Sequence, residues 1–294
     1  MKKFAAIFSS FLLCAAFAVP ACSATGADSF FSMIDDNNLP GIRASIKTGF
    51  ALNEVYERNG MKGETPLLHA VRRGKPDIVK IFLDSGADVN FRSEISWPPL
   101  MMAVAVYTRN DDFFRRNKFT ANDSMEIFNI LTAHGADINA ATTHSTPLLT
   151  ALIGDSDERV FTMTEKLLGL GADANPKLER GSAPIFFAIE SPGSNPNEKI
   201  KLVQLLLSYR ANANVQLDGY TPLHVLASHN EEYHSFSEGY SEAAENEIAK
   251  LLLDSGADPN VRDASGRTPL DVALLNRNTG LCRLLISYID ARAH

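Results

Sequence analysis

Residues 65–90 read TPLLHAVRRGKPDIVKIFLDSGADVN, and both ends of this stretch recur along the chain. The opening triplet or a near copy of it occurs six times, at 65–67, 98–100, 146–148, 183–185, 221–223 and 268–270. The prolines of these triplets are 33, 48, 37, 38 and 47 residues apart. Self-similarity of this kind indicates one structural unit repeated along the chain.

The closing pentapeptide Gly-Ala-Asp-x-Asn marks the same units a second time. Four clear copies alternate with the triplets, at 86–90, 135–139, 171–175 and 256–260. Residues 210–214 form a degraded copy that starts with Arg210, and residues 49–53 form a fainter one. The fainter copy predicts an additional unit that begins near Ser29, so we expect seven units.

Each mark has a physical cause. A threonine hydroxyl caps a helix by accepting an unpaired backbone N–H, and proline suits the first helical position because no hydrogen bond is lost there. The apolar run 78–83 is typical of a buried helix, and the glycine after it ends the helix in a left-handed conformation. Arg210 should cost about 1 kcal/mol in that conformation. Turn residues such as Asp218 and Gly219 then form projecting hairpin fingers.

These residues together resemble the ankyrin-repeat family, whose period of 33 residues equals the shortest triplet spacing in this chain. The resemblance covers residues 29–294 and implies an all-α solenoid, elongated and curved, of about seven stacked helix-turn-helix units with hairpin fingers. We place the units at about 29–59, 60–92, 93–141, 142–178, 179–215, 216–261 and 262–294. The family's histidine after the triplet is present only as His224, so several units should be less regular.

Two units carry insertions, at about 108–123 and 230–243, which we expect between the first and second helix. Both insertions mix charged and aromatic residues. They are either functional loops or tolerated additions, and the sequence leaves both interpretations open.

Residues 1–24 have the pattern of a secretory signal: Lys2 and Lys3, an apolar stretch, then small residues. Cys22 is a candidate for lipidation, because Val19–Cys22 resembles a bacterial lipoprotein box; simple cleavage is the alternative. We therefore expect an exported protein, periplasmic, tethered to a membrane as a lipoprotein, or secreted. Removing the signal changes the formal charge from −7 to −9. That charge disfavours nucleic acid and favours a basic partner.

Two groups of residues raise the possibility of enzyme chemistry. Gly154-Asp155-Ser156 is similar to the nucleophile motif of an esterase family, but it follows a first helix instead of a strand. His229 and His234, with two glutamates between them, match no established metal spacing. We predict no catalytic residue, no metal site and no cofactor. A hydrolase or metal-dependent enzyme that uses these residues is the alternative function.

The favoured function is a non-catalytic protein-protein interaction module of the cell envelope, a scaffold or an inhibitor of a partner protein. An effector that is secreted and binds a host protein is a further alternative. What the resemblance implies is binding through the finger tips and first helices. The residues just before the triplets should form one row along the fingers: Glu64, Trp97, Ser145, Ser182, Tyr220 and Arg267. The candidate residues for partner binding are Glu64, Arg72, Arg73, Trp97, Tyr107, Tyr220, His229 and Arg267. Trp, Tyr and Arg often dominate interface energies, which favours several of them.

Overall fold

The computed structural model describes residues 24–58, 61–91, 97–109, 118–178, 183–190, 195–229 and 241–293. Fourteen helices lie in these ranges and follow one another as seven pairs. The pairs are α1 (Ala24–Asp35) and α2 (Leu39–Lys47), α3 (Pro66–Arg72) and α4 (Pro76–Asp84), α5 (Pro99–Tyr107) and α6 (Ala121–Ala133), α7 (Pro147–Leu152) and α8 (Asp157–Gly169), α9 (Pro184–Glu190) and α10 (Pro196–Ser208), α11 (Pro222–Ser228) and α12 (Glu242–Asp254), and α13 (Pro269–Leu275) and α14 (Thr279–Ala293).

One short hairpin accompanies the helices in the described residues. Strands β1 (Tyr56–Arg58) and β2 (Met61–Glu64) pair antiparallel, with Tyr56 opposite Glu64, between the first and second helix pairs. The predicted helical repeat fold with hairpin fingers is confirmed.

The first helices begin where the triplets predict. Thr65 caps α3 by accepting the Leu68 N–H at 3.1 Å, and Thr146 caps α7 by accepting the Leu149 N–H at 3.3 Å. Thr268 and Asp271 cap each other's backbone N–H groups at the start of α13. These bonds satisfy donors that have no partner inside the helix.

The second helices end where the glycines predict. Gly86, Gly135, Gly171 and Gly256 have φ angles of 89°, 82°, 91° and 90°. Arg210 holds the equivalent place with φ 62°, in the left-handed region that disfavours a residue with a Cβ.

The asparagines that close the pentapeptides tie each repeat to the next one. Asn139 donates its side-chain N–H to the Gly171 carbonyl at 3.0 Å and accepts the Asp173 backbone N–H at 2.8 Å. The same pair of bonds joins Asn53 to Gly86 and Asp88, Asn175 to Arg210 and Asn212, and Asn214 to Gly256 and Asp258. Asn90 donates in the same way to Gly135. We call this series the asparagine ladder.

The chain forms two compact units, residues 1–103 with 117–136, and residues 104–116 with 137–294. In the first unit, the Phe30 ring stacks on Phe50 with 3.7 Å between ring centroids, and α4 packs against α6. In the second unit, first helices α7, α9, α11 and α13 pack in sequence order, and so do second helices α8, α10, α12 and α14. Their buried row consists of the fully covered leucines Leu167, Leu206, Leu252 and Leu285.

Three boundaries differ from the sequence expectation. Helix α1 begins at Ala24 and not near Ser29. The two insertions do lie between first and second helices, but they end earlier than expected, because α6 begins at Ala121 and α12 at Glu242. Thr120 and Asp123 form the capping box that starts α6. Residues 1–23, with the signal and Cys22, and most of both insertions lie outside the described residues.

Within the described ranges, no helix combines the length and the apolar character that crossing a membrane requires.

Candidate protein-interaction surface

Tyr220 lies at the end of a tight hairpin turn in the second unit. Leu217 and Tyr220 exchange two backbone hydrogen bonds, of 3.0 and 2.9 Å. The residues between them, Asp218 and Gly219, both have positive φ, which is the geometry that joins two extended segments most tightly. The turn holds the Tyr220 side chain half-exposed, directly before the Thr221 cap of α11.

Arg267 occupies the equivalent position before α13 and contacts Tyr220. Its Nη2 donates to the Tyr220 hydroxyl at 3.1 Å and to Asp263 Oδ2 at 2.8 Å, and its Nε donates to the same Asp263 oxygen at 3.0 Å. The Arg267 side chain keeps 37% of its surface exposed, whereas Asp263 keeps 1%. The structure therefore brings two predicted binding residues together on neighbouring fingers.

Asp263 is the anchor of this pair. Burial alone would raise the pKa of Asp263, but hydrogen bonds from the backbone and guanidinium of Arg267 and from the Ser265 N–H outweigh burial and lower that pKa. The hydrogen bond to Asp263 in turn raises the pKa of Arg267. Both groups stay charged at neutral pH, which fixes the guanidinium in place.

Arg72 and Arg73 lie at the end of α3 in the first unit, and each pairs with a carboxylate. Arg72 donates to Glu64 Oε1, and Arg73 Nε lies 2.8 Å from Asp35 Oδ1. The buried His69 ring joins the two pairs, with its nitrogens 2.9 Å from Asp35 and 3.1 Å from Glu64. The guanidinium groups remain partly exposed, 31% for Arg72 and 43% for Arg73.

Glu64 is the buried carboxylate of this cluster, which consists of Asp35, Glu64, His69, Arg72 and Arg73. Its side chain is 6% exposed. Burial would raise its pKa, but hydrogen bonding to His69 and the charges of His69 and Arg72 outweigh burial, so the pKa of Glu64 is lowered. An ionised carboxylate at this place orients Arg72 but offers almost no area to a partner.

Trp97 is half-buried just before Pro98 and Pro99. Its neighbours 92–96 lie outside the described residues, as does Ser182, the fourth residue of the expected finger row. Ser145, the third, is buried and bonds to Thr150 at 3.1 Å between hydroxyl oxygens. The expectation of a continuous displayed row is therefore wrong at Ser145 and Glu64, which point inward.

Tyr107 and His229 also lie in the interior, at the helix ends beside the two insertions. Burial raises the pKa of the Tyr107 hydroxyl. The side chains of Tyr107, His229 and Glu64 are buried, so they do not offer the exposed contact area that the sequence suggested.

His229 connects two carboxylates from neighbouring repeats. Its Nδ1 donates to Glu245 Oε1 at 2.6 Å and its Nε2 donates to Glu190 Oε1 at 3.1 Å. Burial would lower the pKa of His229, but the bonds to Glu190 and Glu245 outweigh burial and raise the pKa to about 9. Lys199 is buried nearby, and burial lowers its pKa against the attraction of the same glutamates.

This arrangement differs from the metal site that the sequence suggested as an alternative. Both nitrogens of a protonated His229 donate to carboxylates, so neither offers a lone pair to a metal. In the described ranges, no three His, Cys, Asp or Glu residues are grouped so as to hold a metal ion. Glu231, Glu232 and His234 lie outside those ranges.

Gly154-Asp155-Ser156 forms the turn between α7 and α8, as expected. A Cβ on Gly154 would lie 2.4 Å from the Thr108 Cβ, and the Asp155 N–H donates to the Thr108 carbonyl at 3.1 Å. The motif therefore has a packing explanation: glycine is required because the end of α5 comes so close.

Four carboxylates in these clusters were not predicted from the sequence: Asp35, Glu190, Glu245 and Asp263. Asp263 had a local signal, because an aspartate that opens a turn often accepts the backbone N–H two residues on, here that of Ser265. The other three meet partners far away in sequence, which no local pattern reveals.

Two family models match the chain. The model described as "Ankyrin repeat" matches residues 62–94, and the model described as "Ankyrin repeats (many copies)" matches residues 240–286. Both describe repeats of this kind and neither describes an enzyme family.

Similar curated proteins include a putative ankyrin repeat protein, FPV031, from Fowlpox virus, 31% identical over 58% of this chain and 46% of its own length. Rabankyrin-5 from Homo sapiens is 45% identical over 20% of this chain and 5% of its own length. The chain thus spans less than half the length of these relatives.

Solved structures share the fold. The ankyrin repeat domain of Bcl-3 has a TM-score of 0.62 at 20% identity, covering 91% of this chain and all of that chain. The human ASB11 ankyrin repeat domain has a TM-score of 0.57 at 20% identity, covering 88% and 96%.

Proposed function

Because the chain carries ankyrin repeats, which bind other proteins, we propose that it is a non-catalytic interaction module that holds a partner on its fingers. The observation that carries this proposal is the contact between Tyr220 and Arg267, two half-exposed residues on neighbouring fingers, of which Arg267 is also bonded to the buried Asp263. Tyrosine and arginine are among the residues that dominate binding energy in protein interfaces.

Anchoring lowers the cost of binding. A free arginine side chain loses about 0.5–1.5 kcal/mol of conformational entropy when an interface immobilises it. Asp263 and the Tyr220 hydroxyl already hold the Arg267 guanidinium in the unbound chain. Much of that cost is therefore met during folding, and the exposed part of the pair presents a fixed shape to a partner.

The chemistry of the partner follows from charge. The formal charge of −7 favours a basic protein at long range. At the pair itself, the Tyr220 ring offers an aromatic face for a cationic or apolar side chain. A basic protein with an exposed arginine or lysine beside an apolar residue fits both features.

The module is proposed to act in the cell envelope, as a scaffold or as an inhibitor of its partner. The signal-like residues 1–24 support export, and the small-residue sequence before Cys22 supports a lipid tether.

Affinity capture tests the proposal. The purified chain, immobilised, is exposed to an envelope extract from the producing cells, and retained proteins are identified by mass spectrometry. Four chains are compared: the unchanged chain, Tyr220→Ala/Arg267→Ala, Trp97→Ala/Tyr220→Ala, and Arg283→Ala as a control on the exposed face of α14.

A partner retained by the unchanged chain and by Arg283→Ala, but at least tenfold weaker on Tyr220→Ala/Arg267→Ala, is the expected result. The second double variant shows whether Trp97 contributes to the same surface. A partner that binds all four chains equally would remove the finger surface from the proposal, and no retained protein at all would contradict the interaction function.

A further inference from the structure

In the asparagine ladder, each asparagine side chain bonds to the pentapeptide turn of the next repeat, which we call the receiving turn. One further asparagine, Asn260, has no receiving turn in the described residues. Asn260 closes the last pentapeptide, and its backbone N–H donates to Asp258 Oδ1 at 2.9 Å, the same bond that restrains the loop in the other repeats. Asn90, Asn139, Asn175 and Asn214 show that bond at 2.8–2.9 Å. The backbone of the loop around Asn260 is therefore restrained like the others, and the Asn260 side chain is exposed.

The next helix explains why the receiving turn is missing. Leu285 occupies in α14 the fully buried place that Leu252 occupies in α12. Gly256 follows Leu252 by four residues and ends its helix, whereas Ile289 follows Leu285 by four residues and α14 continues to Ala293. A helix uses its backbone N–H groups internally, so α14 has none to offer Asn260.

A cavity of about 280 Å³ lies between the last ladder loop and this helical extension. It is lined by Gly256–Asn260 on one side and by Tyr288, Ile289 and Arg292 on the other. Tyr288 is fixed by its hydroxyl, which donates to the Leu253 carbonyl at 2.9 Å. The Arg292 guanidinium lies over the Tyr288 ring, 4.5 Å from its centre.

We propose that this cavity binds a polypeptide turn from a partner protein, held through its main chain by the side-chain amide of Asn260. The turn supplies a carbonyl to the Asn260 N–H group and, two residues further on, a backbone N–H to the Asn260 carbonyl oxygen. This is the arrangement that Asn139, Asn175 and Asn214 already make with turns of this chain.

The second wall of the cavity adds a preference for acidic turns. Arg292 has no carboxylate partner among the residues that the structure describes. Its guanidinium lies over the Tyr288 ring, and the N–H groups, which lie in the plane of the guanidinium, can still donate hydrogen bonds. A turn with an aspartate or glutamate next to the bonded amide would place that carboxylate within reach of Arg292. This site does not depend on the finger surface proposed above.

Stability measurements on the unbound full-length chain give the first test. Asn214→Ala removes two bonds inside the fold and should lower the melting temperature by several degrees, whereas Asn260→Ala removes none and should leave it unchanged. An equal loss in both variants would mean that Asn260 is already engaged within the chain, and the proposed site would not exist.

Peptide titration gives the second test. The probe is a cyclised peptide with the sequence of residues 84–91, which contains a natural receiving turn, and binding is followed by chemical-shift changes in the backbone amides of the ¹⁵N-labelled chain. Shifts centred on Gly256–Asn260 and Tyr288 are expected, with affinity about tenfold weaker in Asn260→Ala, equivalent to losing roughly 1.4 kcal/mol of hydrogen bonding.

A matched peptide carrying Asp88→Pro lacks the N–H that Asn260 should accept and is expected not to bind. Arg292→Gln should weaken binding of the acidic peptide while leaving the melting temperature unchanged. Equal binding of the two peptides, or no shifts at millimolar peptide, would overturn the proposal.

Discussion

Arg210 shows that the repeat tolerates a wrong residue when its neighbours hold the backbone. Its φ of 62° is the left-handed conformation that glycine adopts at the equivalent place in five other repeats, at Gly49, Gly86, Gly135, Gly171 and Gly256. The ladder keeps both bonds there, from Asn175 to the Arg210 carbonyl at 2.9 Å and from the Asn212 N–H to Asn175 at 2.7 Å. The strain is therefore local and does not displace the turn.

Replacing Arg210 should relieve that strain. We expect Arg210→Gly to stabilise the fold, because glycine enters this region without a Cβ clash, an effect of about 1 kcal/mol. The greater conformational freedom of glycine in the unfolded chain offsets part of that gain. Urea unfolding followed by circular dichroism measures the change. Gly171→Ala, with φ 91°, is the reverse control and should destabilise. A destabilised Arg210→Gly chain would contradict the account of strain.

His229 should make stability fall as pH rises above neutral. Its pKa is about 9 in the fold and near 6.5 in an unfolded chain, so the folded state binds the proton more tightly. The stabilisation by Glu190 and Glu245 is complete below pH 6.5 and is lost as the pH rises through 9. Melting temperatures from pH 6 to 9 should show this loss.

The His229→Gln variant should flatten that decline, because glutamine keeps hydrogen bonds but does not titrate. His144→Gln, at an exposed position, is the matched control and should keep the slope of the unchanged chain. If both variants keep it, the pH dependence arises elsewhere.

At the residue scale, the sequence predicts the residues that begin and end helices better than it predicts the clusters of buried charged side chains. Thr65 and Gly86 act on neighbouring residues, so their roles are readable from local sequence. Glu64 and His229 depend on Asp35, Glu190 and Glu245, which approach only after the repeats have packed. The sequence therefore predicted both residues as surface contacts, and the structure places both inside.

At the scale of the elements, the turn between α7 and α8 packs through Gly154 against Thr108, the residue that follows α5. We expect Gly154→Ala to destabilise by about 1–3 kcal/mol, because its Cβ would lie 2.4 Å from the Thr108 Cβ and 2.9 Å from the Thr108 carbonyl oxygen. Thermal unfolding measures the loss.

Ser156→Ala, two residues away, is the control. Ser156 begins α8 without a side-chain cap bond, so this variant should melt with the unchanged chain. If Ser156→Ala instead lowered the melting temperature more than Gly154→Ala does, the packing explanation would fail and a chemical role for Ser156 would again be open.

Helix starts and ends were predictable from sequence because Thr-Pro and glycine act within one turn of the helix. The starts of α1 and α6 were not. Helix α1 begins at the first described residue, in a stretch assigned to the end of the signal, and the Thr120–Asp123 box that starts α6 was hidden within a stretch assigned to the insertion.

At the scale of the whole molecule, the envelope proposal predicts a chain that lacks its first 21, 23 or 24 residues. Intact mass spectrometry of fractionated cells measures this directly. A lipidated chain would begin at Cys22, carry acyl groups and sediment with membranes; Cys22→Ala should then release it to the soluble fraction. A chain that keeps Met1–Ser23 and remains in the cytoplasm would contradict the envelope proposal.

The asparagines of the ladder bond only to main-chain atoms of the receiving turn. Arg210 can therefore replace glycine without breaking the bonds, and Asn212 can replace aspartate beside it. A turn recognised through its backbone places few demands on its coding sequence. A gene segment for one repeat could thus be duplicated, exchanged or lengthened between its helices while its neighbours need no compensating change, which makes the chain suited to acquiring new partners by recombination.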